Sequence, residues 1–289
     1  MLDILLSQAA NGLVLGFLYV LIAVGLSVIF GMLGIVNFAH GAFFALGAYF
    51  AVTLFETFGW YAVILSPVLV GLVGVVVEVL LIRRLYGKDP LVSLIVTFAL
   101  ALFIEATIKV VWGAGGQPFS APPFLSGIFE YGPILLTKYR LGVVVATSGL
   151  LVILWLSLTH TPFGRILRAG SRDPEMVGLL SINLPRVLTA VFGIGCAIAG
   201  MAGLLAAPLW TVTPTMAAGA IMPAFVVVTI GGLDSYAGSI IAGLLVGVVT
   251  GLTIQFMPEA SAAAMYVLMT IILLVRPRGL FGERWERFE

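Results

Sequence analysis

The sequence predicts an all-α fold: one polytopic transmembrane helical bundle over residues 1–289, with about eight to ten membrane segments. Three observations carry this. Hydrophobic residues make up 61% of the 289 and charged residues only 9%, against about 25% charged in a soluble globular domain. Apolar runs of about 20 residues, the length that crosses a bilayer as a helix, recur from end to end. These runs are solidly apolar and lack the period-two alternation of a transmembrane β-barrel.

The expected spans are 8–30, 33–54, 61–82, 91–112, 139–158, 187–209, 217–231, 236–255 and 260–275. The first carries Gly12 and Gly16, small residues at the spacing that lets helix backbones approach closely. The second holds Asn37 and His40 near its start, in Asn37-Phe38-Ala39-His40-Gly41. Polar groups in an apolar segment need hydrogen-bond partners, because an unsatisfied one is costly in lipid. Two readings stand. Either these residues pin a helix end, or Asn37, His40 and Gly41 line a path for a polar solute. The third span ends at Arg83, Arg84 and Lys88, toward which Glu78 reaches. The fourth contains Glu105 and Lys109 four apart, either a self-neutralising pair in the order that a helix favours or an ion site. The connection at 113–137 is rich in Gly and Pro and is expected to be non-helical.

Pro162 and Gly164 are expected to stop the fifth span, with His160 as an interfacial residue. The stretch that follows, within 159–187, is the most polar of the chain and holds Arg165, Arg168, Arg172, Asp173 and Glu175. Ser171 or Asp173 can cap a short helix beginning near Pro174, with Glu175 in its first turn and Leu179, Leu180 and Ile182 on its apolar side, a helix that either lies on the lipid surface or inserts into a groove on a partner protein. The sixth span contains Cys196, the one cysteine, which has no partner for a disulfide or metal site and reads as a packing residue. The run 217–231 is too short to cross comfortably and reads as a half-helix or re-entrant piece. A break at Gly231 to Ser235 precedes the eighth span, where Ser239, Gly243, Gly247 and Gly251 fall every four residues. Such a stripe packs closely, either on the chain itself or on a second subunit. The ninth span leads into the basic tail 276–289.

Lys and Arg in short loops set orientation. Arg83, Arg84 and Lys88, then Arg165, Arg168, Arg172 and Arg186, then Arg276, Arg278, Arg284 and Arg287 hold all but three of the 14 basic residues. Nine spans place all three clusters on one side, which makes the central loop and the tail cytoplasmic. Residues 113–137 and the N-terminus then fall outside. Asp3 has no basic neighbour, so no secretory signal is expected. A net charge of +1 gives no argument for a nucleic-acid partner. No catalytic set and no metal-ligand cluster is evident. Acidic groups are scarce inside the spans, which counts against a proton- or sodium-coupled carrier. Each half of the chain shows a span, a polar break and a Gly-rich span, entering from opposite sides. That is the plan of inverted repeats with interrupted helices, with substrate near the interruptions. It adds Gly231, Gly232 and Ser235 to the pathway candidates.

Four blocks, in order, carry a resemblance: GLSVIFGMLGIVNFAHGAFFALGAY, FGRILRAGSRDPEMVGLLSINLPRV, GIGCAIAGMAGLLAAPL and FVVVTIGGLDSYAGSIIAGLLVG. Over essentially its full length the chain resembles the permease family of branched-chain amino acid ABC importers, and most of all the shorter of that system's two permeases. The resemblance implies a permease in the bacterial inner membrane. Its implied partners are a second homologous permease, two cytoplasmic ATP-binding subunits and a periplasmic substrate-binding protein. It implies no catalysis and no cofactor on this chain, since ATP and Mg belong to the ATPases. It also implies that 159–187 is the coupling loop, with that role on Gly164, Arg165, Arg168, Asp173, Glu175, Ile182 and Pro185. Gly178 and Ser181 stand where the family more often has Ala and Gly. Branched-chain or other hydrophobic amino acids are the implied cargo; related systems carry urea, short amides or aromatic acids. A stand-alone secondary carrier or channel and a non-transporting scaffold are the rival classes.

Overall fold

A computed structural model describes residues 2–132, 134–172, 174–179 and 182–282. The helices are α1 (Leu2–Leu33), α2 (His40–Phe58), α3 (Ala62–Leu80), α4 (Pro90–Trp112), α5 (Lys138–His160), α6 (Pro162–Arg172), α7 (Pro174–Leu179), α8 (Leu184–Ala206), α9 (Met216–Gly231), α10 (Tyr236–Phe256) and α11 (Ser261–Val275). Among the described residues, seven stretches are long and apolar enough to cross a membrane. One of them, His40–Leu80, is folded by the turn Gly59–Tyr61 into α2 and α3, and α9 is a shorter apolar helix.

Two local expectations change. The first interruption falls at 34–39, so α1 runs on to Leu33 and α2 starts at His40, not near 33. The apolar run keeps α1 helical until Gly34, whose φ of 65° ends it. Residues 113–137, expected to be non-helical, include an antiparallel hairpin of β1 (Ile128–Tyr131) and β2 (Ile134–Thr137) that pairs Phe129 with Leu136. Pro162 ends no span but opens α6, because proline suits the first helical position, where its missing N–H is no loss.

By its internal contacts the chain falls into two compact units, each discontinuous in sequence: Met1–Ser27 with Ala121–Val145 and Met222–Glu289, and Val28–Ser120 with Ala146–Ile221. In the first, the early turns of α1 run antiparallel to α10 with glycine against glycine. A Cβ on Gly12 would stand 2.6 Å from the Gly247 carbonyl oxygen, one on Gly16 3.0 Å from that of Gly243, and one on Gly251 2.9 Å from that of Gln8. Apolar side chains gain little from burial against lipid-like surroundings, so close backbone approach supplies the attraction. Gln8 Nε2 donates to Gln255 Oε1 at 2.8 Å at one end of the pair, and Ser27 Oγ donates to the Leu233 carbonyl at 3.2 Å at the other. Arg140, in the first turn of α5, donates to Asn11 Oδ1. Past α11 the chain turns back: Leu280 N–H donates to the Ile230 carbonyl at 2.7 Å and Phe281 N–H to that of Gly231 at 3.1 Å. Those carbonyls end α9 and have no partner within the helix.

In the second unit α2 and α3 form a hairpin and α8 packs on both. Ser66 Oγ donates to the Gly47 carbonyl at 2.7 Å. Gly47 lies directly on the Gly200 backbone and Gly203 on the Phe44 carbonyl, while Gly74 leaves room for the buried Cys196 thiol. Phe43 meets Phe192 edge-on at 6.1 Å. Phe43, Phe44, Tyr49 and Phe192 are the bulkiest fully buried side chains described in this unit.

Candidate functional site

Thr161 builds the start of the central stretch. Its hydroxyl accepts from Gly164 N–H at 3.2 Å, and its carbonyl accepts from Arg165 N–H at 3.2 Å. That is a helix N-cap placed one residue after the end of α5. Gly164 then sits against the Leu158 carbonyl, where any Cβ would collide. Arg168 donates its guanidinium to that same carbonyl, supplying a cationic partner to the C-terminal end of α5. These residues make the turn from α5 into α6 a defined elbow. Gly170 lies against the Met32 and Leu184 side chains, so α6 is seated between the end of α1 and the start of α8.

The residues expected to couple therefore divide. Gly164 and Arg168 hold the elbow together, while Arg165 is exposed on α6. Asp173 lies outside the described residues, as do Leu180 and Ser181; Glu175 falls within α7, but its side chain is not among those described. On α7, Val177 is buried and Leu179 is 80% exposed. Ile182 is half-buried just ahead of Asn183, whose side chain accepts from Arg186 N–H at 3.3 Å and caps α8, with Pro185 exposed in its first turn.

Asn37 and His40 are both fully buried at the first interruption. Asn37 Oδ1 accepts from Ala39 N–H at 3.0 Å, and the Asn37 carbonyl accepts from His40 N–H at 3.2 Å. Asparagine closes such turns because its side chain mimics a backbone carbonyl. Asn37 Nδ2 has no partner among the described residues. Gly41 lies against Ala217 and Ile221 of α9. Non-helical backbone at membrane depth must be satisfied by other protein groups. Thr97 of α4 does this here: its hydroxyl accepts from Phe38 N–H at 3.2 Å and donates to the Val36 carbonyl at 3.2 Å.

The second interruption separates α9 from α10; α8 ends earlier, at Ala206. Ser235 Oγ accepts from Gly238 N–H at 3.0 Å and caps α10. Gly231 touches Gly238 and Ser239. Gly232, at φ 106°, touches the backbone of Gly282 in the tail. Ser239 is fully buried at the start of the Gly243, Gly247 and Gly251 stripe. Among the described residues no group of three or more His, Cys, Asp or Glu is placed to hold a metal ion.

Sequence reasoning missed Thr161, Thr97 and Thr189. Thr189 Oγ1 lies 2.7 Å from the buried Glu78 carboxylate. Only Thr161 left a local signal, a hydroxyl residue immediately ahead of proline.

The family described as "Branched-chain amino acid transport system / permease component" matches residues 8–275. The high-affinity branched-chain amino acid transport system permease protein LivH of Salmonella typhimurium is 28% identical, over 96% of this chain and 95% of that protein. The corresponding protein BraD of Pseudomonas aeruginosa is also 28% identical, with the same coverage. LivM of Escherichia coli, named as a permease protein of the same kind of system, is 25% identical over 92% of this chain and 68% of its own length. No solved structure matched.

Proposed function

Because this chain belongs to the branched-chain amino acid transport system permease family, we propose that it is the membrane-spanning permease subunit of an ATP-driven importer of branched-chain or other hydrophobic amino acids. It is a multi-pass membrane protein, and a transport subunit by family. In this reading a second homologous permease completes the pore, two ATP-binding subunits sit on the cytoplasmic face, and an external binding protein delivers the solute. The similarity to LivM as well as LivH supports a partner built on the same plan.

The observation that carries the coupling role is the make-up of 159–187. A stretch this polar needs no defined fold to serve as a topological signal. Here it is capped by Thr161, seated through Gly164 and Gly170, and tied back by Arg168. It presents exposed Arg165 and Leu179 at the joint between α5 and α8. A helix held in this way, as α6 is, passes displacement on to the membrane helices it touches, where a loosely held one would absorb it. Closure of the ATPases displaces α6 and α7, and the attached helices follow, opening the pathway to one side and then the other. Nucleotide drives this only through contacts that differ between the two states.

The test uses the assembled complex in proteoliposomes. Arg165→Glu reverses an exposed charge without touching the elbow, and it should lower both solute uptake and binding-protein-stimulated ATP hydrolysis while the protein still inserts. Uptake and hydrolysis at wild-type rates would remove the coupling role from this loop. Uptake by the chain alone, driven by a gradient without ATPases, would make it a secondary carrier. Binding measurements on the external partner protein identify the cargo and separate amino acids from urea, amides or aromatic acids.

A further inference from the structure

We infer that Glu78 and Thr189 are positioning residues that lock the end of α3 to the start of α8, so that a displacement entering through the central loop moves both helices as one body. This rests on the coupling role proposed for 159–187.

Glu78 lies in the last turn of α3 and is 0% exposed. A buried carboxylate is costly unless it is both paired and hydrogen-bonded, and this one is met on both oxygens. Arg83 donates from Nε to Oε1 at 3.3 Å and from Nη2 to Oε2 at 3.1 Å. The Tyr86 hydroxyl donates to Oε1 at 2.7 Å. Thr189 Oγ1 accepts from Arg83 Nη2 at 2.6 Å and shares its one proton between Oε2 at 2.7 Å and the Pro185 carbonyl at 2.8 Å. Burial, and then Glu78 itself, push the Tyr86 hydroxyl well above its ordinary pKa, so it remains a donor.

Of these partners, Arg83 and Tyr86 belong to the connection after α3, while Thr189 lies in α8, 111 residues from Glu78 in sequence. The carboxylate therefore joins two elements as well as neutralising the local charge of Arg83. Thr189 stands four residues after Pro185 and three after Arg186, just where the central loop becomes α8. Elsewhere α3 and α8 meet through small residues: a Cβ on Gly71 would lie 3.1 Å from the Gly193 carbonyl oxygen, and one on Gly200 2.8 Å from Val70 Cβ. Smooth faces of this kind bring backbones close but offer few interlocked side chains to resist sliding. The hydrogen-bonded group supplies that resistance at the end where the load enters.

The experiment uses the full complex. Spin labels at Arg84→Cys and Arg186→Cys, both exposed positions, in a Cys196→Ser background report the separation of the two helix ends. In the otherwise wild-type complex this distance should stay fixed between nucleotide-free and ATP-bound states. In Thr189→Val it should change with nucleotide, and solute moved per ATP hydrolysed should fall about fivefold or more. Thr189→Ser should restore both. A separation that changes with nucleotide in the wild-type background overturns the inference, as does a Thr189→Val complex with normal stoichiometry and a fixed distance. The wild-type distance decides the matter if Thr189→Val fails to assemble. If Arg165→Glu impairs transport while Thr189→Val is silent, only the Glu78–Thr189 role falls. If Arg165→Glu is silent, the coupling role falls and takes this one with it.

Discussion

Gly247→Ala adds one methyl group at the tightest part of the α1–α10 contact. Its Cβ would lie 2.5 Å from the Gly12 carbonyl oxygen and press on the backbone of Gly16, whereas ordinary contact begins at 3.4 Å. The helices must part by about 1 Å, and overpacking of this kind costs roughly 1–3 kcal/mol. Alanine returns up to about 1 kcal/mol in helix propensity, so the net loss lies between about 0 and 3 kcal/mol. Gly149→Ala in α5 is the matched control, since a Cβ there meets nothing within 4 Å. It should be neutral or stabilising, by up to about 1 kcal/mol. Reversible unfolding of the isolated chain in mixed micelles, by SDS titration, measures both. Because the stripe is filled by the chain's own α1, the loss should appear without any partner subunit. Gly247→Ala no less stable than Gly149→Ala would refute the packing described.

Two further outcomes follow from the interruptions. Thr97→Val leaves the Phe38 N–H and Val36 carbonyl without their partner, and should destabilise the same preparation by about 1–3 kcal/mol, while Thr97→Ser should not. Gly232→Ala meets both a φ of 106° and the Gly282 backbone at 2.7 Å. It should loosen the tail and speed tryptic cleavage after Arg278, and an unchanged digestion rate would show that the tail is held some other way.

The membrane helices were legible because length and apolarity are all that a span needs. The glycine stripe was legible because its four-residue spacing maps directly onto one helix face. The elbow at Thr161 was hidden by an ambiguity in proline, which stops one helix and opens the next with equal ease. The hairpin at 128–137 was masked by the Gly- and Pro-rich run around it, although β-branched and aromatic residues flank Gly132. Thr97 and Thr189 could not be read at all. A lone threonine in an apolar span carries no mark of its partner, and these partners lie 59 and 111 residues away.

The most direct measurement places a photo-crosslinking side chain at Leu179, exposed on α7, in the intact complex in membranes. Adducts with the ATP-binding subunits, changing in yield between nucleotide-free and ATP-bound states, are the predicted result. Adducts only with lipid or with the external binding protein would contradict the account.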